Sequence, residues 1–592
     1  MASNSGFINN LPKIYGMYTG GFVLFVIALA IAEQMGLPNV WIGYVFMAAT
    51  IGLYAMIGIM SRTAETDEYY VAGRSVPALY NGMATGADWM SAASFIGMAG
   101  TLYAQGYDGL AFVMGWTGGY VLVALFLAPY LRKFGQYTIP DFLGARYGGN
   151  LPRTIGIICA ITASFTYVIA QIYGAGIITS RFLGIDLATG VWVGLIGVLV
   201  CSLLGGMRAV TWTQVAQYIV LIIAYLVPVV WLSIKVTGNP VPQLAYGEVL
   251  QQIGVLEQQL GVTAGHATPF VKNDMVNFLA LTFCLMVGTA ALPHILMRFF
   301  TTPSVKEARK SVGWSLFFIF LLYFTAPAYA AFAKLEVYSN VIGQSIASLP
   351  AWVASWTQVG LVSVCDAVDA MTTVKGCVAN GNGDGILQLS ELMLNADAIV
   401  LATPEIAGLP YVIAGLVAAG GLAAALSTAD GLLLTISNAL SHDVYYKMVN
   451  PNASAKKRLT IARILLLGVA AIAAFAASNA PATILSIVAW AFSIAAASFF
   501  PALVLGIFWK RANKAGAVAG MLVGFGLTLY YLVNVKFLGM TPWFGIKDVS
   551  AGIFGIPLGF LTIWAVSLMT KEPSQEVKDM VEDLRYPRLA KG

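Results

Sequence analysis

The chain has 592 residues and a formal net charge of +5, and 59% of its residues are hydrophobic while 10% are charged. Soluble domains carry about 25% charged residues. This composition therefore excludes a protein whose whole surface faces water, and it predicts a lipid bilayer as the surroundings. The small positive charge does not indicate a nucleic-acid partner, and the absence of a nucleophile–base pair or metal cluster from the sequence pattern argues against an enzyme.

Apolar runs of about 20 residues, the length that crosses a bilayer, recur along the chain. We predict an all-α polytopic membrane protein with about fourteen spans. The spans lie near residues 14–34, 40–60, 77–105, 109–130, 154–180, 186–204, 208–234, 274–297, 312–333, 408–440, 460–478, 482–508, 515–535 and 550–570. The first run lacks a basic start and a small-residue cleavage site, so we interpret it as a retained helix rather than a signal peptide.

Lys and Arg predict the orientation, because cytoplasmic loops are enriched in them. With the N-terminus in the cytoplasm, the inner segments hold most of the 32 basic residues, Arg298 among them. We therefore expect a bacterial inner-membrane protein with both termini in the cytoplasm. Two long loops, 236–272 and 335–406, then face outward.

The third span is unusually rich in glycine and small polar residues between Ala84 and Gly100, and it carries a carboxylate, Asp88. Broken helices at mid-membrane expose backbone carbonyls to an ion. Small residues also permit close helix packing without any site. Both interpretations stay open for this span.

In the eighth span, Pro293 removes a backbone donor and predicts a kink, with Gly288 and Thr289 just before it. His294 follows the kink. An imidazole at that position either titrates near neutral pH or serves as a hydrogen-bonded structural residue.

The outer loop before the tenth span resembles the calcium-binding loop of an EF-hand. Its ligand positions are filled by Asn380, Asn382, Asp384, Ile386, Gln388 and Glu391. Asn at the first position lowers the charge and predicts weak affinity for calcium. The alternative is an Asn-Gly-rich turn that binds nothing. Cys365 and Cys377 lie on the same side, where an oxidising compartment permits a disulfide.

The tenth span carries Ser427, Thr428 and Asp430, with Ala424 one turn before Ser427 on the same helix face. Hydroxyl and carbonyl oxygens suit a hard cation such as Na⁺. A carboxylate inside the bilayer usually marks a function. The alternative is that both hydroxyls bond to their own helix, which leaves Asp430 unexplained.

Several motifs together resemble the sodium:solute symporter family, and within it the cation–acetate symporter branch. They are Tyr69 to Arg74, Met90 to Gly97, Gly205 to Met207 with Trp212 and Gln214, Gly288 to Phe300, Glu307 to Val312, and Ser441 to Tyr445. The segment from Gly288 to Phe300 is typical of the acetate-like branch.

The resemblance implies a LeuT-like core of two inverted five-helix repeats, each beginning with a helix that is broken at mid-membrane. The expected division is two accessory helices in 1–76, a first repeat in 77–235, an outer loop in 236–272, a second repeat in 273–508 and a C-terminal part in 509–592. The second repeat includes the outer loop 335–406 with its EF-hand-like segment 380–391.

The resemblance also implies one Na⁺ between the first and eighth core helices. Its expected ligands are the carbonyls of Ala87, Met90 and Ala424 and the hydroxyls of Ser427 and Thr428. Many family members carry Asp where this chain has Gln214, so a role of position 214 in ion exit is not expected here.

We predict a sodium-coupled symporter for a short monocarboxylate such as acetate. Ser94, Gly288 and Thr289 lie next to the expected helix breaks, where freed N–H groups and positive half-helix ends meet a carboxylate. Alternatively, Ser94 and Thr289 only cap the broken helices. Two other functions stay open: a Na⁺ symporter for another solute, such as proline or a sugar, and a membrane sensor with a transporter fold. The short tail from Lys571 to Gly592 has no room for a kinase domain.

Overall fold

The computed structural model describes residues 2–63, 65–203, 206–366 and 381–586. Twelve helical segments of this part are long and apolar enough to cross a membrane. The prediction of a polytopic helical protein is therefore confirmed. The count of fourteen spans stays a prediction, because Ala93–Phe134 counts once among the twelve although its backbone turns at Gly106 (φ 60°), and the apolar helix Leu187–Leu199 is shorter than a full span.

Four helices precede the first interrupted helix. They are α1 (Ala2–Asn9), α2 (Leu11–Gln34), α3 (Asn39–Met60) and α4 (Thr66–Val71). Much of α2 is exposed at the outside of the bundle, which its apolar composition permits in a lipid environment.

The next part of the chain begins with a helix in two pieces, α5 (Ala78–Trp89) and α6 (Met98–Gln105), joined by a π-helical turn at Ala93–Gly97. The chain between Trp89 and Ala93 is the expected break. The helices that follow are α7 (Leu110–Leu122), α8 (Ala128–Phe134), α9 (Ile139–Tyr147), α10 (Asn150–Leu183), α11 (Leu187–Ser202) and α12 (Gly206–Thr237).

The second interrupted helix is α14 (Met275–Thr289) followed by α15 (Pro293–Met297). Before it lies α13 (Pro242–Gln259). After it come α16 (Val305–Tyr323), α17 (Ala326–Asn340), α18 (Ala351–Gln358), α19 (Ile399–Ile406) and α20 (Tyr411–Asn438), which continues as a π-helix over Ala439–Val449. The remaining helices are α21 (Ala455–Ala477), α22 (Ile484–Phe508), α23 (Lys514–Phe537), α24 (Gly552–Met569) and α25 (Gln575–Arg585).

Several helices begin where a polar side chain caps their first turn. Thr138 accepts a hydrogen bond from the Asp141 N–H at the start of α9, and Asp186 accepts from the Thr189 N–H at the start of α11. Asp274 and Ser304 do the same for α14 and α16. These caps satisfy N–H groups that have no partner inside the helix, so they fix where the helices start.

The centre of the molecule is α20, and every residue of its most apolar stretch is buried. It packs against α10 and α12 and also contacts α5. Close approach depends on small side chains. A Cβ on Gly420, for example, would lie 2.3 Å from the Ala224 side chain of α12.

Two features of the segments 236–272 and 335–406 were not predicted. The segment predicted as loop 236–272 contains α13, whose buried residues Ala245, Val249 and Ile253 follow a helical spacing. The loop 335–406 contains a short antiparallel pair of strands, β1 (Val362–Val364) and β2 (Leu392–Leu394).

Candidate functional site

The residues predicted to bind sodium lie where α5 breaks against α20. Their common property is complete burial, with exposed fractions of 0%. The Ser427 hydroxyl lies 2.7 Å from the carbonyl oxygen of Ala87 and 3.0 Å from that of Ala424. Met90 is the first residue after α5, at the break itself.

Thr428 reaches a carbonyl that the sequence did not indicate. Its hydroxyl donates to the backbone oxygen of Asp88 at 2.8 Å. Hydroxyl and carbonyl oxygens of two helices, far apart in sequence, therefore meet at one buried point. This donor set, all oxygen and without a soft ligand, fits a hard cation such as Na⁺.

Beside these oxygens lies a fully buried ion pair. The Arg298 Nε donates to a carboxylate oxygen of Asp88 at 2.9 Å, and both side chains have an exposed fraction of 0%. Arg298 also donates to the Thr211 hydroxyl at 3.0 Å and to the Gln214 side-chain oxygen. The guanidinium thus joins the second broken helix to α5 and to α12.

Gln214 completes the connection to the sodium ligands, because its amide group donates to the Ser427 carbonyl oxygen at 2.7 Å. Sequence reasoning gave position 214 no part in the ion path and counted Arg298 among the cytoplasmic loop residues. The complete burial of Arg298 corrects its placement in a loop. The signal was present in Asp88: an intramembrane carboxylate needs a partner of opposite charge.

Asp430 is fully buried one helical turn beyond Ser427. The next residue, Gly431, faces the Asp88 carboxylate so closely that a Cβ there would lie 2.3 Å from one carboxylate oxygen. Glycine at 431 therefore allows the Asp88–Arg298 pair to pack directly against α20.

The predicted substrate residues lie at both helix breaks and already contact other groups of the protein. Ser94 lies 2.9 Å from the Tyr323 hydroxyl, and Thr289 donates to the Leu285 carbonyl oxygen at 2.7 Å. Gly288 lies against the backbone of Phe492, where a Cβ would be 2.6 Å from the carbonyl oxygen. The Thr289 contact corresponds to the capping alternative rather than to a free ligand.

His294 is 2% exposed, and neither ring nitrogen has a hydrogen-bond partner. Its ring lies edge-on to Tyr167, with centroids 5.5 Å apart. The prediction that His294 is a hydrogen-bonded structural residue is therefore not supported by its contacts.

A continuous aromatic cluster, which sequence reasoning missed, lies beside the first break. Phe492 is its centre, with ring centroids 5.8 Å from Trp89, 5.6 Å from Trp116 and 5.8 Å from Tyr167. Trp89 also contacts Tyr120 at 5.9 Å. These residues come from four helices, so no local pattern in the sequence brings them together.

Two N–H groups in and around this cluster are buried without a hydrogen-bond partner. They are Trp116 Nε1 and Gln171 Nε2. The Oε1 atom of the same Gln171 side chain accepts a hydrogen bond from the Ala92 N–H at 2.8 Å, within the break. Both groups can donate a hydrogen bond, so the chemistry of this region suits an acceptor-rich, partly apolar molecule.

The EF-hand-like loop forms a turn that uses its own oxygens. The two carboxylate oxygens of Glu391 accept the N–H groups of Asn382 and Gln388, each at 3.0 Å. Asp384 accepts from Ile386 at 2.8 Å. These contacts give calcium binding no support. Asn380 lies outside the described residues.

Cys365, on the same side of the molecule, takes part in a disulfide. Cys377, its predicted partner, lies outside the described residues. The pairing of these two cysteines therefore stays a prediction.

Comparison with known proteins agrees with this architecture. A family model described as the sodium:solute symporter family matches residues 69–349 and 393–524. An uncharacterized symporter of Cupriavidus necator is 46% identical, over 98% of this chain and 99% of its own length. The monocarboxylic acid transporter of Corynebacterium glutamicum is 28% identical, over 92% of this chain and 94% of its own.

Among solved structures, the chain resembles a Na⁺-coupled sialic acid symporter with a TM-score of 0.66. The two are 17% identical, and the match covers 90% of this chain and 99% of that one. The likeness confirms the predicted LeuT-like fold.

Proposed function

Because this chain belongs to the sodium:solute symporter family, we propose that it imports a short monocarboxylate such as acetate together with Na⁺. Sodium-coupled symport follows from the family. What we propose is the identity of the solute and the residues that bind it.

One observation favours an anion: the unpartnered donors beside the first helix break. A buried donor without a partner costs about 1–3 kcal/mol, so a ligand that accepts hydrogen bonds is favoured there. Trp116 presents its N–H beside the ring of Phe492. A short carboxylate matches both features, because its oxygens accept and its hydrocarbon tail packs against rings.

Local charge is consistent with this proposal. Asp88 would repel an anionic solute if it were alone, but Arg298 contacts it at 2.9 Å. The pair contributes no net charge. The transporter of Corynebacterium glutamicum, a relative by sequence, is named for monocarboxylic acids, which supports the same class of solute.

Sodium coupling supplies the driving force for such an anion. Moving one negative charge inward against the membrane potential costs about 2.3 kcal/mol per 100 mV. One co-transported Na⁺ cancels this cost. We propose that Ala87, Met90, Ala424, Ser427 and Thr428 hold that ion in contact with the break.

We also propose the arrangement in the bilayer. The N- and C-termini lie in the cytoplasm of a bacterium, the loops around α13 and the β1–β2 pair face outward, and residues 77–235 and 273–508 form the two repeats. The distribution of Lys and Arg supports this orientation.

The decisive experiment is uptake of labelled acetate into proteoliposomes, with and without a Na⁺ gradient, in competition with propionate, pyruvate, proline and glucose. We expect the carboxylates to compete and the other two solutes to have no effect. Competition by proline or glucose alone would refute the monocarboxylate. A protein that transports none of these solutes would direct attention to the sensor alternative.

A pair of tryptophan variants tests the donors. Trp116→Phe removes one N–H and keeps an aromatic ring, so we expect the KM for acetate to rise several-fold. Trp192→Phe is the matched control, because Trp192 is 43% exposed on α11. Equal KM values in the two variants would exclude the Trp116 N–H from binding.

A further inference from the structure

A second polar cluster lies away from the sodium region, at the end of the bundle that we assign to the cytoplasm. We propose that Asp141, His442 and Asp443 form a binding site for a divalent transition-metal ion such as Zn²⁺. The sodium-coupled transport proposed above does not use these residues.

The cluster joins two elements that are distant in sequence. Asp141 lies in the first turn of α9, and His442 and Asp443 lie in the π-helical continuation of α20. The segment Ser441 to Tyr445 entered the sequence analysis only as a family motif. In the structure its histidine and aspartate face a carboxylate of another helix.

The three residues are arranged as a ligand set. One ligand atom from each lies within 4.8 Å of the other two. The His442 Nε2 is 3.7 Å from the Asp141 Oδ2. Zinc bonds of about 2.0–2.2 Å in tetrahedral geometry place ligand atoms roughly 3.4 Å apart, so small side-chain movements suffice to bring them to bonding distance.

Within the described part of the chain, the ligand atoms are buried and make no hydrogen bonds, and the only approach between them is the 3.7 Å pair of His442 Nε2 and Asp141 Oδ2. The exposed fractions of Asp141, His442 and Asp443 are 2%, 2% and 0%. Neither nitrogen of His442 has a hydrogen-bond partner, nor has Asp141 Oδ2 or Asp443 Oδ1. Buried polar atoms normally find partners, and a metal ion would supply one to all three side chains at once.

The opposite oxygen of each carboxylate is held in place. Arg153 donates to Asp141 Oδ1 at 3.1 Å, and the Thr138 hydroxyl donates to Asp443 Oδ2 at 2.8 Å. Groups of this kind orient the ligands of metal sites and strengthen metal binding. In each carboxylate, one oxygen is therefore held by a hydrogen bond and the other is available to a metal ion.

Charge favours a cation here. Two buried carboxylates adjoin each other, and Arg153 contacts one of them. Lys447 acts on both from an exposed position, where water screens its charge. Mixed imidazole and carboxylate ligands suit zinc better than magnesium, which prefers oxygen alone.

The site also has a consequence for transport, which rests on the proposed function. The helix whose π-helical continuation contains His442 also carries Ser427 and Thr428. A metal ion would tie its end to α9. Since alternating access requires helix groups to move against each other, we expect bound Zn²⁺ to slow uptake.

Zinc binding is tested directly by calorimetry on the purified, metal-free full-length protein. We expect one Zn²⁺ per chain and at least a tenfold weaker affinity in His442→Gln and in Asp443→Asn. The sequence has only three histidines. His266→Gln is therefore the matched control: it removes a buried imidazole of the outer loop and should leave zinc affinity unchanged.

Cobalt provides a second measurement that needs no variant. Co²⁺ in place of Zn²⁺ should give the visible absorption of a tetrahedral nitrogen–oxygen site, and Zn²⁺ should displace it. Lack of both zinc heat and cobalt absorption in the wild type would overturn the proposal. Equal zinc affinity in the wild type and a folded His442→Gln protein would also overturn it. Neither result depends on whether the solute is a monocarboxylate.

Discussion

The sequence predicts cation ligands in two regions of this protein, and the contacts of those ligands differ between the two regions. At the break of α5, the oxygens of Ala87, Ala424 and Ser427 come from two helices and meet without exposure to solvent. In the outer loop, Asp384 and Glu391 accept hydrogen bonds from N–H groups of their own segment.

The difference shows why spacing alone is weak support for an ion site. A loop of Asn, Asp and Gly satisfies its backbone N–H groups with its own side chains. Ligands from distant helices are held by packing, so their convergence does not follow from local backbone chemistry.

The largest effect is expected from Arg298→Gln, which leaves Asp88 buried and unpaired. Breaking a buried pair by removing one partner costs about 3–5 kcal/mol, so we expect a strong fall in thermal stability and loss of uptake. Lys510→Gln is the control. The Lys510–Glu582 pair is 39% and 44% exposed, and exposed pairs contribute about 0–1 kcal/mol. Similar losses in both variants would show that the buried region is not special.

The double variant Ser427→Ala, Thr428→Ala tests the sodium ligands. If each hydroxyl contributes about 1–1.5 kcal/mol, half-saturating Na⁺ should rise roughly 30- to 150-fold, with normal insertion into the membrane. Thr435→Ala is the control on the same helix, since its hydroxyl bonds to the Gly431 carbonyl at 2.8 Å. An unchanged Na⁺ dependence of the double variant would remove both residues from the site.

Asp397 links the outer loop to the core, because its carboxylate accepts the Ile484 N–H at 3.1 Å at the start of α22. Burial raises the pKa of Asp397 from 3.8 to about 7, against the lowering effect of that hydrogen bond. Between these values the folded state holds a proton that the unfolded state has lost. Stability from this group is therefore present at acid pH and falls as pH rises towards about 7.

We expect Asp397→Asn to flatten the change in melting temperature between pH 5 and pH 8. Asp186→Asn is the matched control. Asp186 also caps a helix, but hydrogen bonds from Thr189 lower its pKa, so its titration lies below this range. Parallel pH profiles of the wild type and Asp397→Asn would contradict the assignment.

The smallest effect is expected in the outer loop. If the loop is only a turn, calcium should give the same heat with the wild type and with Glu391→Gln. The variant should loosen the loop locally, since it weakens acceptors for the Asn382 and Gln388 N–H groups, and hydrogen exchange would detect this. A calcium heat seen in the wild type and lost in the variant would restore the EF-hand interpretation.

The sequence by itself determined the membrane fold, both helix breaks and the sodium-binding candidates. Apolar runs need only composition to be recognised, because lipid admits no alternative to helices for such a chain. Ser427 and Thr428 were recognisable because hydroxyls beside an intramembrane aspartate are rare enough to carry information.

Tertiary structure alone decided which groups face each other. The partner of Asp88 is Arg298, at a separation of 210 residues, and the rings around Phe492 come from different helices. These contacts cannot be predicted from sequence periodicity. They depend on how the helices cross and on small residues, such as Gly431, that let two helices approach closely. The same reason hid the cluster of Asp141 and His442, whose residues satisfy local rules in two helices and become a site only where those helices touch.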